Sequence, residues 1–250
     1  MKMNRVVWAA LASAVWMAVP AAAQVRVLAS NGARAVMEEL RPQCERAAGA
    51  KLDIEYSTSS AMKQRIEAGE AFDAVILTTD LVDALTKEGK LSTERADFAK
   101  AGIGVGIRKG APKPDIRTAE AMKRTLENAK AVTYAADGAS RVHVEKMFER
   151  MGISEAMKKK TILEQGSTRA DARVASGDAD IVLTLESEIL PAPGVELIGP
   201  IPAEYQSYVA FAAAVGAKSG NAKGARAIVE FLRGPAVGPV LKPKGMQPVR

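Results

Sequence analysis

The sequence predicts an α/β protein of two lobes, each a mostly parallel sheet flanked by helices, and three observations carry that expectation. Strand-like and helix-like patterns alternate along nearly the whole chain. The run "FDAVILTT" is apolar after its Asp73, as a parallel strand buried on both faces requires. The units are too many for one sheet of this length, and two segments look like crossings between lobes: a Gly-rich one around 103–107 and an apolar one around 208–215.

The chain opens on a targeting pattern. Lys2 and Arg5 precede an uncharged apolar run at 6–19, then Pro20, three alanines and Gln24. That is the layout of a cleaved secretory signal over 1–23, and the run is short for a membrane span. After it, "QVRVLAS" is a β-branched strand. "ARAVMEELRPQCERAAG" puts Val36, Met37 and Leu40 on one helical face. "KLDIEYS" alternates Leu52, Ile54 and Tyr56 with charged residues, and "SAMKQRIEAGE" is a helix stopped at Gly69. "DLVDALTKEGK" is a helix with Asp80 as its N-cap. Then come the helix "TAEAMKRTLENAK", the strand "AVTYAA" and the helices "SRVHVEKMFERMG" and "EAMKKK", the last ending in a solvated lysine run. The helix "STRADARVASGDA", the strand "DIVLTL", a Pro-rich return, the strand "SYVAFAAAVGA" and the helix "NAKGARAIVEFLRG" finish the chain. Lobe one is expected to be 24–105 plus 206–250, and lobe two 106–205.

Composition excludes several functions. With 35 Lys+Arg against 29 Asp+Glu the net charge is +6, or about +4 once Lys2 and Arg5 leave with the signal. That is a mixed surface with no nucleic-acid motif, so no nucleic-acid partner is expected. One His and one Cys argue against a His/Cys metal site, and a lone Cys44 cannot form an internal disulfide. Gly102, Gly104 and Gly106 alternate without the third Gly of a dinucleotide fingerprint, and no G-x-S-x-G elbow occurs. A monomer without metal or cofactor, and without a membrane span after cleavage, is the expectation.

Four junctions ahead of helices are rich in small and hydroxyl residues: Ser30-Asn31-Gly32, Ser57 to Ser60, Asp137 to Ser140, and Gly166-Ser167-Thr168. Each is an ordinary helix cap, and each also offers free N–H groups to an anion. Arg34, Arg141 and Arg169 fall in the first turns of three of these helices, and Lys63 and Arg65 follow the fourth. Cations there oppose the helix dipole. Either they point to water and pair with neighbouring acids, or a ligand with several negative charges lies nearby, for which the guanidinium fork suits a carboxylate. His143, just after Ser140, is the one side chain whose ordinary pKa suits a proton shuttle near neutrality, and it is equally an exposed histidine.

The order of elements, the block "STSSAMKQRIEAGEAFDAVILTTDLVDAL" and the ending "FLRGPA…KGM" resemble the periplasmic molybdate-binding proteins of ABC importers over nearly all of the mature chain. The resemblance implies a type II periplasmic binding protein closing by a hinge on a small anion, with an importer's membrane subunit as partner. The family holds its oxyanion with two serines, backbone amides and a tyrosine. Ser59 falls at one ligand serine and Ala139 at an amide, and Ser167 fits the other amide. Gly32 falls at the second serine, with Ser30 or Asn31 nearby, and Leu185 lies near the tyrosine's place. These departures and the arginines favour an organic polycarboxylate over molybdate. The expected ligand residues are Asn31, Gly32, Arg34, Ser59, Ser60, Ala139, Ser140, Arg141, Ser167 and Arg169. A divergent branch of this scaffold includes aconitate isomerases; the alternative it implies is proton transfer on a tricarboxylate, with His143 as the base.

Overall fold

In the computed structural model, which describes residues 24–249, β1 (Gln24–Ser30) buries Val25, Val27, Leu28 and Ala29. A 3-10 turn, Asn31–Ala33, leads into α1 (Arg34–Ala48), which stops where Gly49 takes a left-handed φ of 63°. β2 (Lys51–Ser57) pairs with β1 in parallel, ending with Ser30 opposite Ser57. α2 (Ser59–Glu67), β3 (Ala74–Thr78) and α3 (Thr79–Lys87) follow, with β3 parallel to β1. Thr78, not Asp80, holds the capping position of α3. Asp80 sits in its first turn, where a negative charge favours the helix dipole.

β4 (Leu91–Arg108) belongs to both halves of the molecule. Up to Gly102 it runs antiparallel to β9 (Tyr208–Gly216); from Ile103 it runs antiparallel to β7 (Ile181–Leu185). Between these partners lie α4 (Ala119–Asn128), β5 (Val132–Ala135), α5 (Arg141–Arg150), α6 (Ser154–Lys158), β6 (Thr161–Glu164) and α7 (Ser167–Ser176). α8 (Glu186–Ile189) and β8 (Val195–Pro200) follow β7; α9 (Ala222–Arg233), α10 (Gly238–Leu241) and β10 (Met246–Gln247) follow β9. The strand order is β2-β1-β3-β9-β4-β7-β5-β6, with β8 and β10 also on β4. This is the mixed α/β architecture expected, a sheet in two halves flanked by helices. The signal segment expected at 1–23 lies outside the described residues. Among the described residues no helix is long and apolar enough to cross a membrane.

Several elements differ from the expected ones. The stretch 91–100 is strand, the Pro-rich return contains β8, and 161–164 is the edge strand β6. β9 lies wholly in the first half between β3 and β4, so β4 rather than β9 carries the chain across. The lysine run is not all solvated: the Lys160 ammonium donates to the carbonyls of Glu127 (2.6 Å) and Ala129 (3.0 Å), closing the end of α4. At the crossing, the Gln206 amide replaces a neighbouring strand. Its oxygen accepts from the Ile103 N–H at 2.9 Å and its nitrogen donates to the Ile103 carbonyl at 3.0 Å. One apolar cluster runs through both halves, from Val25 and Ile76 to Val132 and Leu183.

Candidate functional site

The four junctions meet at the cleft between the halves. In "YSTSSAM" the cap is Thr58: its hydroxyl accepts from the Ala61 N–H at 3.2 Å and donates to Asp137 Oδ2 at 2.7 Å. Asp137 Oδ1 accepts from the Gly166 N–H at 2.9 Å. Ser167, at the head of α7, donates from Oγ to Glu188 at 2.9 Å. β1 and β2 end side by side at Ser30 and Ser57, just ahead of Asn31 on one strand and Thr58 on the other. Helix ends from both halves are thus joined through one carboxylate, Asp137.

Two cavities flank this junction. The first, 390 Å³, is lined by Asn31 and Arg34 from one half and by Ser167, Thr168, Asp171 and Glu188 from the other. Arg34 donates to Asn31 Oδ1 at 3.2 Å and its guanidinium carbon lies 4.6 Å from the Tyr56 ring centroid. It pairs with no carboxylate among the described residues. The second cavity, 310 Å³, brings Ser59, Ser60 and Asp80 opposite Ala139 and His143, with Tyr208 alongside. Ser59 Oγ accepts from the Thr78 N–H at 3.2 Å, leaving its own proton to donate. Burial holds the His143 pKa below its ordinary value, Lys146 adds to this, and Asp80 acts against it. The imidazole is therefore neutral at pH 7 and able to accept a proton.

The other expected residues are placed differently. Arg141 turns away from the cleft, donating to Glu145 (2.8 Å) and to the Ala136 carbonyl (2.8 Å); its i,i+4 acid neutralises it. Arg169 is exposed and lines neither cavity. Lys63 pairs with Glu67 and Glu88, and Arg65 with Glu55 and Glu70. Ser140 is buried at the cap position of α5, but its hydroxyl finds no partner among the described residues. Gly32 is buried, and a β-carbon there would lie 2.6 Å from Phe211 Cζ and 2.9 Å from Leu185 Cδ1. Phe211 and Leu185 fill the space that the side chain of a serine at this position would need.

Sequence reasoning passed over Asp171 and Glu188. Burial, and then the neighbouring Glu188, push Asp171 up to about 8. Burial also raises Glu188, against the hydroxyls of Thr184 (2.5 Å) and Ser167 that donate to it. A signal was present: Ser167, Ala170, Asp171 and Val174 form the i, i+3, i+4, i+7 face that α7 buries, so an acid stands on a core stripe.

Two sheet halves joined by shared strand β4, with helix N-termini converging on a cleft between them, define a binding protein of the two-lobed periplasmic class. The chain belongs to the bacterial extracellular solute-binding proteins, whose family model matches residues 25–247. It is 31% identical to an aconitate isomerase from Pseudomonas sp., over 96% of this chain and 93% of that protein. It is 24% identical to the molybdate-binding protein ModA of Azotobacter vinelandii, over 90% of each. The solved periplasmic molybdate-binding protein of Azotobacter vinelandii superposes with a TM-score of 0.75 at 16% identity, covering 89% of this chain and 98% of that one.

Proposed function

We propose that the cleft binds a small anion with more than one carboxylate, of the aconitate class, and that the protein works in the periplasm, delivering it to the membrane subunit of an ABC importer. The observation that carries this reading is Arg34. It stands in the first turn of α1, where a cation opposes the helix dipole, it lines the cavity between the halves, and its partners are an amide oxygen and a tyrosine ring. A carboxylate ligand accounts for that placement. The packing of Phe211 and Leu185 against Gly32 argues against a molybdate-type cage.

A second reading, isomerisation of trans- and cis-aconitate, is favoured by the second cavity. A neutral His143 faces Ser59 and Asp80 there, as a base that takes an allylic proton and returns it at another carbon must. The 31% identity to an aconitate isomerase supports it.

Calorimetric titration with trans-aconitate, citrate, molybdate and sulfate tests the ligand class. A carboxylate is expected to bind, and Arg34→Ala to weaken it about tenfold or more, the loss of a charge-assisted contact. Silence with all four sinks the proposal. Incubation with trans-aconitate, followed for cis-aconitate, separates the two readings. Binding without turnover leaves delivery, whereas turnover lost in His143→Ala with binding retained identifies the base.

A further inference from the structure

The first cavity has an acidic wall, which is odd for an anion site. Asp171 is 7% exposed, lines the cavity, and its Oδ1 has no hydrogen-bond partner among the described residues. A buried, unpartnered carboxyl oxygen carries a cost unless the group keeps a proton or something bonds to it. Glu188 beside it is different: the hydroxyls of Ser167 and Thr184 already bond to it. Burial raises both carboxyls, and Asp171, the one with no hydroxyl bonded to it, is free to turn its proton to a ligand.

We propose that one carboxylate of the ligand sits in this cavity between the Arg34 guanidinium and Asp171, and that Asp171 meets it as a neutral carboxylic acid donating a hydrogen bond. This rests on the polycarboxylate reading above and adds how the ligand is held. Arg34 supplies charge, Asn31 holds Arg34, and burial beside Glu188 keeps the proton on Asp171. The charged or titratable groups facing Asp171 are Glu188 from α8 and Arg34 from α1. Asp137 acts on Glu188 from ahead of α5, and His143 lies in the other cavity. Protonation of Asp171 holds up to about pH 8, so the site works at neutral pH and fails in alkali.

Titration of trans-aconitate at pH 7 and pH 9.5 tests this. The wild type is expected to lose about thirtyfold in affinity at the higher pH. Asp171→Asn, whose amide still donates, is expected to bind with no such loss. At pH 9, titrations in two buffers of different ionisation heat are expected to show close to one proton taken up per ligand bound, and at pH 7 close to none. This readout needs no variant. Binding that is flat with pH and takes up no proton overturns the proposal and leaves the ligand class standing. An alkaline loss that persists in Asp171→Asn does the same. No binding at pH 7 overturns the ligand class itself.

Discussion

Gly32→Ala tests the packing where the two halves meet around Gly32. The backbone of Gly32 is not in the left-handed region, so space alone decides the outcome. The new methyl carbon would stand 2.6 Å from Phe211 Cζ, about 1 Å inside the ~3.5 Å at which carbons rest, and 2.9 Å from Leu185 Cδ1. Phe211 is 0% exposed and Leu185 2%, so neither can swing into solvent, and one comes from each half. Overpacking of this kind costs ~2 kcal/mol, which lowers the melting temperature of a chain of this size by ~6 °C. Urea unfolding followed by circular dichroism measures it. Adding Phe211→Leu, which opens room on one side, is expected to cost less together with Gly32→Ala than the two changes summed, as contacting residues do. A Gly32→Ala protein as stable as wild type, or strict additivity of the pair, would refute the packing.

Three further outcomes follow from particular groups. Asp137→Ala removes the acceptor for Thr58 Oγ and the Gly166 N–H, and a loss of ~2–4 kcal/mol is expected in the same unfolding assay, with Asp137→Asn milder. Asp171 holds its proton up to about pH 8 when folded, whereas the unfolded chain gives it up near pH 4. Stability is therefore expected to fall as pH rises between those values, by as much as ~5 kcal/mol, and Asp171→Asn to remove most of that slope; parallel slopes would refute the assignment. Cys44 is fully buried and burial pushes its thiol up to about 12, so a thiol reagent at pH 8 is expected to label it only at the rate of unfolding.

Much of the architecture was legible because the parallel strands are written as apolar runs. "AVILT" in β3 and "IVLTL" in β7 are buried at every position and could be read without tertiary context. The first half of β4 was not: "LSTERADFAK" carries four charges, and it is strand only because β9 and β10 pair with it. β6 was hidden for a related reason, since an edge strand of four residues has little pattern to show. At the site, the four junctions could be found from cap chemistry alone. Which arginine faces the cleft could not, because both have an acid at i+4: Glu145 claims Arg141, whereas Glu38 pairs with Arg41 and leaves Arg34 with Asn31 and Tyr56. The hinge clamp of Gln206 on Ile103 spans 103 positions and leaves no local trace.

The position of β9 bears on the order in which the molecule can be completed. It is inserted between β3 and β4, yet it is made of residues that leave the ribosome more than a hundred positions after them. Until then the first half has an empty slot in the middle of its sheet, and the buried alanines 212–214 and Phe211 that fill its core are missing. The second half is completed by β7 and β8, which end at Pro200 shortly before β9 begins at Tyr208. Long-range strand pairing of this kind is slow, since the loop must close before the contacts reward it. The growing chain therefore stays incompletely folded until its last fifth is made, a state in which a polypeptide can still be threaded.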